Sequence, residues 1–233
     1  MKTTYPDLID QKLKALAETD YKAFNEKLIP TNYEIWGIRM PALKKLAKEL
    51  SKETDIENYL KNAEFTSYEH LLLYGLILGN LQQFSLETLF TYIDPLILRF
   101  DNWAHVDTLT SSFKIFKQYP EEVIAHFLPL KTDEGEFTKR FFVILLICYF
   151  MEEKYIESTL QHLSEMPQGE YYVDMAIAWA LSVGLVKFYD QTLPYLQQKV
   201  FTKFVHNKAI QKARESYRIK AEIKEFLNGM KIK

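Results

Sequence analysis

The sequence predicts an all-α protein, built as an α-solenoid of stacked helix pairs that curve around a concave face. Apolar residues recur at helical spacing along nearly the whole chain of 233 residues, and strand-like alternation is almost absent. Aromatic-rich segments open near Asn102, Phe137, Tyr171 and His206, at spacings of 35, 34 and 35 residues. Two helices per unit of this length are typical of a solenoid. An irregular helical bundle is the alternative.

The individual helices are predicted from their apolar stripes and their end signals. "MPALKKLAKEL" places apolar residues at i, i+3, i+4 and i+7 from Leu43, with lysines opposite and Pro41 in the first turn. "SYEHLLLYGLILGN" carries an apolar stripe and ends at Gly79, a suitable cap. Further helices are predicted at 8–28, 54–62, 85–93, 102–118, 120–128, 137–150, 153–164, 171–188, 191–199 and 206–226. Because no low-complexity linker interrupts them, residues 1–233 are predicted to form a single domain.

Composition narrows the class of protein. Hydrophobic residues make up 48% of the chain, which excludes disorder, and seven glycines are few for a fold built on tight turns. The one cysteine, Cys148, lies in an apolar run, where we expect it to be buried, and it allows no internal disulfide. "MKTTYPDLID" lacks the apolar core of a signal peptide, and the run 141–151 is shorter than the ~20 residues that span a bilayer. We therefore expect a cytoplasmic protein without a membrane partner.

Charge is distributed unevenly along the chain. Residues 191–233 carry ten lysines or arginines against three glutamates, although the net charge of the whole chain is −2. A solvated helix face accounts for such a segment, and so does a surface that contacts phosphates. Charge alone does not decide between the two.

Several common kinds of catalytic site have no motif in this sequence. There is no Gly-rich phosphate loop, no GxSxG, no HExxH and no paired CxxC. The histidines are scattered without the spacing of metal ligands, so no metal and no other cofactor is predicted.

Four residues remain as candidates for chemistry. Trp103 and Asp107 are four residues apart and would share one helix face. Arg140 lies 37 residues after Trp103 in a later helix, and Trp179 lies 39 residues after Arg140 in a still later helix. Each distance is about one repeat. In a solenoid, residues one repeat apart on inner helices lie along the same surface. The structural alternatives are a tryptophan in the core and a simple Asp107–Arg140 ion pair.

The same stretches resemble the AlkD-type DNA alkylation repair family, whose members are HEAT-like repeat glycosylases that remove alkylated purines. The resemblance rests on "WGIRMPALKKLAKEL", "DNWAHVD", "TKRFFVILLICYF", "YYVDMAIAWAL" and "HNKAIQKARESYRI", which follow one another in the expected order over most of residues 20–220. The series in order is more specific than any one stretch.

The resemblance implies a role for each of the four candidates. Trp103 and Asp107 match the W-x-x-x-D pair of the family, Arg140 matches the arginine at the head of the next repeat, and Trp179 matches the tryptophan of the "AIxWAL" segment. The family also uses an aromatic residue near the N-terminus. Three residues compete for that place and it stays unassigned: Tyr21, Phe24 and Tyr33.

The function implied is a DNA glycosylase that excises cationic N3- or N7-alkylated purines without a base-flipping pocket. Its expected partner is double-stranded DNA containing such lesions, bound by a monomer in the bacterial cytosol and at the nucleoid. Phosphate contacts are expected from Arg39, Lys44, Lys45, Lys203, Lys208, Lys212, Arg214 and Arg218. The alternatives are a non-catalytic HEAT-like scaffold that binds DNA or protein, and a peptide-binding solenoid.

Overall fold

A computed structural model describes residues 5–233, with side chains from Asp7 onward, and it confirms the prediction of an all-α fold. Residues 1–4, where the predicted domain begins, lie outside the described residues. The α-helices are α1 (Tyr5–Lys14), α2 (Thr19–Glu26), α3 (Met40–Leu50), α4 (Ile56–Asn62), α5 (Tyr68–Leu78), α6 (Leu86–Ile97), α7 (Trp103–Thr110), α8 (Pro120–Phe127), α9 (Glu136–Tyr149), α10 (Ile156–Ser164), α11 (Tyr171–Lys187), α12 (Tyr189–Gln197), α13 (Lys203–Glu215) and α14 (Ala221–Gly229). Two 3₁₀ turns, Lys114–Gln118 and Leu128–Thr132, complete the regular structure.

The chain groups into two compact units, one ending at Ile115 and the other beginning at Phe116. In the first unit α5 is the central helix, because every residue from Tyr68 to Leu78 is buried. Helix α5 packs against α3, α6 and α7. A Cβ atom at Gly75 would lie 2.6 Å from the Leu109 side chain, so this glycine permits the close approach of α5 and α7.

The second unit repeats this arrangement around α9 and α11. Helix α11 packs against α9 and α13, while α10 packs against α12. Phe116, Phe127 and Phe141 form an aromatic cluster, with ring centroids 5.6 Å and 5.1 Å apart along the series. In the first unit α5 contacts α3 and α7, and in the second α11 contacts α9 and α13. Such contacts between every second helix are how stacked helix pairs share a continuous core.

Helix starts at Trp103, Glu136, Tyr171 and Lys203 follow at 33, 35 and 32 residues, close to the predicted repeat. The single-domain organisation, the concave face and the monomeric state stay predictions. None of the helices within residues 5–233 has the length and apolar character needed to cross a membrane. Cys148 is partly exposed, so the prediction that it is buried is wrong.

Three long helices that the periodicity predicts are broken in the structure. The segment 8–28 divides into α1 and α2 because the Glu18 N–H donates to the Gly37 carbonyl at 2.9 Å and leaves the helical ladder. The segment 102–118 ends its α-helix at Thr110, where the Ser111 and Ser112 hydroxyls donate to carbonyls three residues back, at 2.8 Å and 2.7 Å.

The third break divides the predicted helix 206–226 into α13 and α14. Ser216 has extended backbone angles, and its hydroxyl accepts the Arg218 N–H at 3.2 Å. Such local bonds from serine give the backbone an alternative to the helix. The predicted single helix 206–226 is therefore two helices with a turn between them.

Candidate nucleic-acid interface

The first part of the candidate interface is the exposed side of α7. Trp103 is the first residue of this helix and Asp107 lies one turn later, and both side chains are partly exposed. Residues four apart on a helix are neighbours on its surface. The predicted pairing of an aromatic face with a carboxylate on one helix side is thus present in the geometry of α7.

The start of α7 is fixed by buried polar side chains. Asn102 caps the helix by accepting the His105 N–H at 2.9 Å, and neither residue has any exposed surface. The Nε2 of His105 donates to the Tyr68 carbonyl of α5 at 3.1 Å, and the two rings stack with centroids 4.6 Å apart. The orientation of Trp103 and Asp107 is consequently set by α5.

A second fixed point is Asp101, which binds the loop before α3. Its carboxylate accepts hydrogen bonds from the Thr31 hydroxyl at 2.8 Å, the Asn32 N–H at 2.6 Å and the Asn102 amide at 2.8 Å. Burial alone would raise the pKa of Asp101, but the hydrogen bonds from His105, Asn32, Asn102 and Thr31 prevail and lower this pKa to about 2. Asp101 is therefore an ionised anchor between this loop and α7.

The unassigned N-terminal aromatic has three candidates in different surroundings. Phe24 is 56% exposed and its ring stacks on Tyr21 at 6.1 Å. The Arg39 guanidinium lies over the Tyr21 ring at 4.8 Å and its Nε donates to Glu18 at 2.8 Å. Tyr33 instead lies edge-on to the buried His105 at 5.9 Å. Phe24 presents the largest free aromatic face, and the assignment stays open.

The loop that leads into α3 is held by a buried carboxylate. Glu69, on α5, has no exposed surface and accepts the N–H groups of Trp36 at 2.9 Å, Gly37 at 2.8 Å and Ile38 at 3.3 Å. Gly37 has φ +83°, and a Cβ atom there would lie 2.4 Å from the backbone nitrogen of Lys22. This loop determines where Arg39 and helix α3, with its exposed Lys44 and Lys45, are placed.

In the second unit Arg140 connects α9 to the start of α11. It is only 6% exposed, and its Nη1 donates to the Tyr172 carbonyl at 2.6 Å. Glu136, one turn earlier on α9, accepts the Tyr172 N–H at 2.6 Å. Two side chains of α9 thus bind both backbone groups of one residue in the first turn of α11.

Trp179 lies nine residues into α11 and is 37% exposed, whereas its neighbours Ala178 and Ala180 are fully buried. The Ser182 hydroxyl donates to its carbonyl at 2.7 Å. The indole is therefore a partly exposed aromatic surface on a well-packed helix, and its contact with a ligand stays a prediction.

The predicted phosphate contacts of the second unit differ in exposure. Lys203 and Arg218 are exposed, while Lys208, Lys212 and Arg214 are partly exposed. Lys208 donates to Gln211 at 3.1 Å. The last turn of α13 contributes Lys212 to one surface cleft and Arg214 to another, and the Arg214 cleft also contains Glu215 and Glu225.

The structure thus places Trp103 and Asp107 one turn apart in one unit. In the other unit it joins Arg140 to the first turn of α11, the helix that carries Trp179. Assembly of all four into one groove stays a prediction. Sequence reasoning missed Asp101 and Glu69, the two carboxylates that fix the loops. The only sequence feature that indicates these two residues is an aspartate or glutamate directly beside a helix start. That pattern is common on solvated surfaces, so it does not predict a buried carboxylate that binds a loop.

Fold and site together define a helical-repeat protein with partly exposed aromatic and basic side chains. A family model described as DNA alkylation repair enzyme matches residues 9–213, and the chain belongs to that family. The resemblance noted from the sequence is confirmed, and DNA is the partner of this family of repair enzymes. A search of curated proteins finds no significant match. Within residues 5–233, no cluster of three His, Cys, Asp or Glu side chains is arranged to hold a metal ion.

Proposed function

We propose that this protein is a DNA glycosylase that releases cationic N3- or N7-alkylated purines from duplex DNA. The observation that carries the proposal is the position of Trp103 and Asp107, one turn apart and partly exposed on α7, in a chain that belongs to a DNA alkylation repair family. This pair combines an aromatic surface with a carboxylate, and the reaction uses both.

Alkylation at N3 or N7 leaves the purine with a positive charge, so the glycosidic bond is labile before any enzyme acts. When the C1′–N9 bond breaks, its electron pair moves to the base, which departs as a neutral molecule. No acid is needed to protonate the leaving group. The sugar left behind has oxocarbenium character, and a water oxygen then bonds to C1′ and releases a proton.

In this proposal Asp107 acts on the sugar. A fixed carboxylate beside a developing oxocarbenium ion stabilises the transition state electrostatically, as one of the two carboxylates does in glycoside hydrolysis. The same carboxylate accepts a hydrogen bond from the attacking water and orients it toward C1′. Asp107 is therefore the catalytic residue of the proposal.

The aromatic residues and Arg140 bind the lesion nucleotide. A cationic group over an aromatic face gains about 0.5–2 kcal/mol, so Trp103 and Trp179 favour the charged nucleotide over its unmodified counterpart. The planar guanidinium of Arg140 suits a backbone phosphate. Basic residues at both ends of the chain then neutralise further phosphates.

Most glycosylases take the target base out of the stack into an enclosing pocket. We propose that no such pocket is used here, because the base leaves without protonation and the proposed contacts are to the sugar, the phosphates and the positive charge of the base. Recognition through the backbone also leaves room for large substituents on the base. We therefore expect bulky cationic adducts to be released as well as methylated purines.

The test is release of 7-methylguanine and 3-methyladenine from methylated duplex DNA under single-turnover conditions, with a protein-free reaction to subtract spontaneous depurination. Wild type should release both bases. Asp107→Asn should lower the rate by about 100-fold, the usual loss when a transition-state charge partner is removed. Asp20→Asn, an exposed aspartate in the first turn of α2, is the matched control and should leave the rate unchanged.

Two results would contradict this proposal. Equal rates of base release by wild type and Asp107→Asn would show that the Asp107 carboxylate is not catalytic. Absence of release at high enzyme concentration, together with tight duplex binding, favours a non-catalytic DNA-binding scaffold of the same family.

A further inference from the structure

The second unit contains a basic cleft between the later turns of α11 and the end of α13. It has a volume of about 220 Å³, and its polar lining consists of Lys187, Lys212, Arg218, Ser182 and Ser216. This set, called the basic cleft below, includes three cations and no carboxylate. Only Lys212 and Arg218 are among the residues that the sequence suggests for phosphate contacts.

Within the described residues, some cations of this unit have an acidic partner, and the three cations of the basic cleft have none. Lys131 pairs with Glu165 at 2.6 Å and Lys139 pairs with Glu170 at 2.8 Å. Among the described residues 5–233, by contrast, Lys187, Lys212 and Arg218 form no ion pair. Positive charges that face one cleft repel each other, and an anion bound between them would relieve that repulsion.

The hydroxyl groups add a directional element. The Ser182 hydroxyl donates to the Trp179 carbonyl at 2.7 Å, so its proton is already used. The Ser216 hydroxyl accepts the Arg218 N–H at 3.2 Å, and within the described residues its own proton has no acceptor. A neutral donor therefore lies beside the cations, in the arrangement that oxygen anions bind.

The size of the cleft indicates a group and not a whole small molecule. Cavities that enclose drug-sized ligands measure about 300–1,000 Å³, and the basic cleft is smaller. Val183 and Val186 form one wall, which suits the apolar side of a sugar ring attached to an anion. One phosphate of a longer chain satisfies both the charge and the volume.

The cleft lies beside Trp179 on the same face of α11. Val183 and Val186 follow Trp179 by four and seven residues, which places the cleft about 6–10 Å further along the helix axis. We infer that the basic cleft binds one phosphodiester group of the DNA backbone near the nucleotide that Trp179 contacts. The inference rests on the proposed function for the identity of the DNA ligand, but it does not require turnover.

The experiment measures binding to unmethylated duplex DNA, where excision plays no part. The cleft variant is the triple substitution Lys187→Gln, Lys212→Gln and Arg218→Gln. Its matched control, Lys48→Gln, Lys52→Gln and Lys117→Gln, removes three exposed cations elsewhere with the same change in net charge. Loss of one phosphate contact should make the negative slope of log K against log salt shallower by about 0.9. It should also weaken binding about tenfold at 0.1 M salt. The control variant should change the slope by less than half of this.

A set of duplexes with a single methylphosphonate, moved one backbone position at a time, locates the contact. Wild type should lose about tenfold in affinity at one position, and the cleft variant should be insensitive there, because the interaction that it tests is already absent. The conservative variant Lys187→Arg, Lys212→Arg and Arg218→Lys should retain the wild-type pattern.

Three outcomes would overturn the inference: equal weakening by cleft and control variants, a flat methylphosphonate profile for wild type, or no duplex binding even at low salt. Competition with inorganic phosphate at matched ionic strength distinguishes a DNA phosphodiester from free phosphate as the ligand. If the cleft is a site for free phosphate, inorganic phosphate should displace DNA at concentrations far below those at which chloride does so. Failure of the glycosylase proposal alone gives a different result, namely no base release while duplex binding keeps its dependence on the cleft.

Discussion

Asp101 accepts the backbone N–H of Asn32 at 2.6 Å across 69 residues of sequence. The bond joins the loop before α3 to the start of α7, directly before the helix that presents Trp103 and Asp107. The catalytic carboxylate of the proposal is thereby oriented by a second aspartate that does not react.

Asp101 should make part of the stability of this protein dependent on pH. Its pKa is about 2 in the folded protein against an ordinary value of 3.8, so the stabilisation is fully present above about pH 5 and is lost as the pH falls from about 4 to 2. Asp101→Asn should lower the free energy of unfolding by about 1–2 kcal/mol at pH 6, allowing for partial exposure. The difference from wild type should shrink by about half at pH 3.

Urea unfolding between pH 3 and pH 6 measures this difference. Asp190→Asn, in the first turn of α12, is the control and should remain within about 0.5 kcal/mol of wild type throughout. A gap between wild type and Asp101→Asn that stays constant over the whole pH range would refute the role of the ionised carboxylate.

The loop at Gly37 should tolerate no side chain. Its φ of +83° strains other residues, and a Cβ atom would meet the Lys22 nitrogen at 2.4 Å and the Glu18 carbonyl at 2.5 Å. Gly37→Ala should therefore cost about 3 kcal/mol of unfolding free energy, measured by urea denaturation. Gly229→Ala, where no atom lies within 4 Å of the added Cβ, should be neutral or slightly stabilising. Similar values for the two variants would contradict the strained-loop interpretation.

The sequence predicts helices well where one face is apolar and the ends are marked. Helix α3 begins and ends where its stripe and Pro41 place it, from Met40 to Leu50. Prediction from sequence fails where a long helix is broken, because there a tertiary hydrogen bond or a serine hydroxyl replaces the hydrogen bond of the helix. The Glu18 N–H, for example, donates to a carbonyl 19 residues away, and no local pattern encodes this.

The site shows the same division between local and distant information. The pairing of Trp103 with Asp107 follows from helical spacing alone. The burial of Arg140 does not, since it depends on the Tyr172 carbonyl 32 residues later in the chain. Contacts between distant segments decide which polar side chains face solvent. Such contacts cannot be predicted from the local patterns of a single sequence.

Trp179 should discriminate the cationic lesion from the normal base. In an Asp107→Asn background, which suppresses excision, Trp179→Ala should reduce the preference for methylated over unmethylated duplex by about 2- to 30-fold, the equivalent of one cation–aromatic contact. Trp179→Phe should retain most of the preference. The ratio of the two dissociation constants, from fluorescence anisotropy, is the measurement.

The control for Trp179 is Phe226→Ala, which removes an aromatic ring of 50% exposure from α14. It should leave the ratio of dissociation constants unchanged. If Trp179→Ala weakens both duplexes equally, the indole contributes general binding surface and not recognition of the charge.

Arg140 should have two separable roles. Its bond to the Tyr172 carbonyl fixes the first turn of α11, so Arg140→Gln should lower the free energy of unfolding by about 1–3 kcal/mol through the unpaired buried groups. If the guanidinium also contacts a DNA phosphate, as proposed, the salt slope of duplex binding should fall by about 0.9 as well. Arg140→Lys keeps the charge but loses the planar fork, and it should restore the salt slope more fully than the stability. Urea unfolding and salt-dependent anisotropy on the same three proteins distinguish the roles. A loss of stability with an unchanged slope would make Arg140 a structural tie between α9 and α11 and leave phosphate binding to other cations.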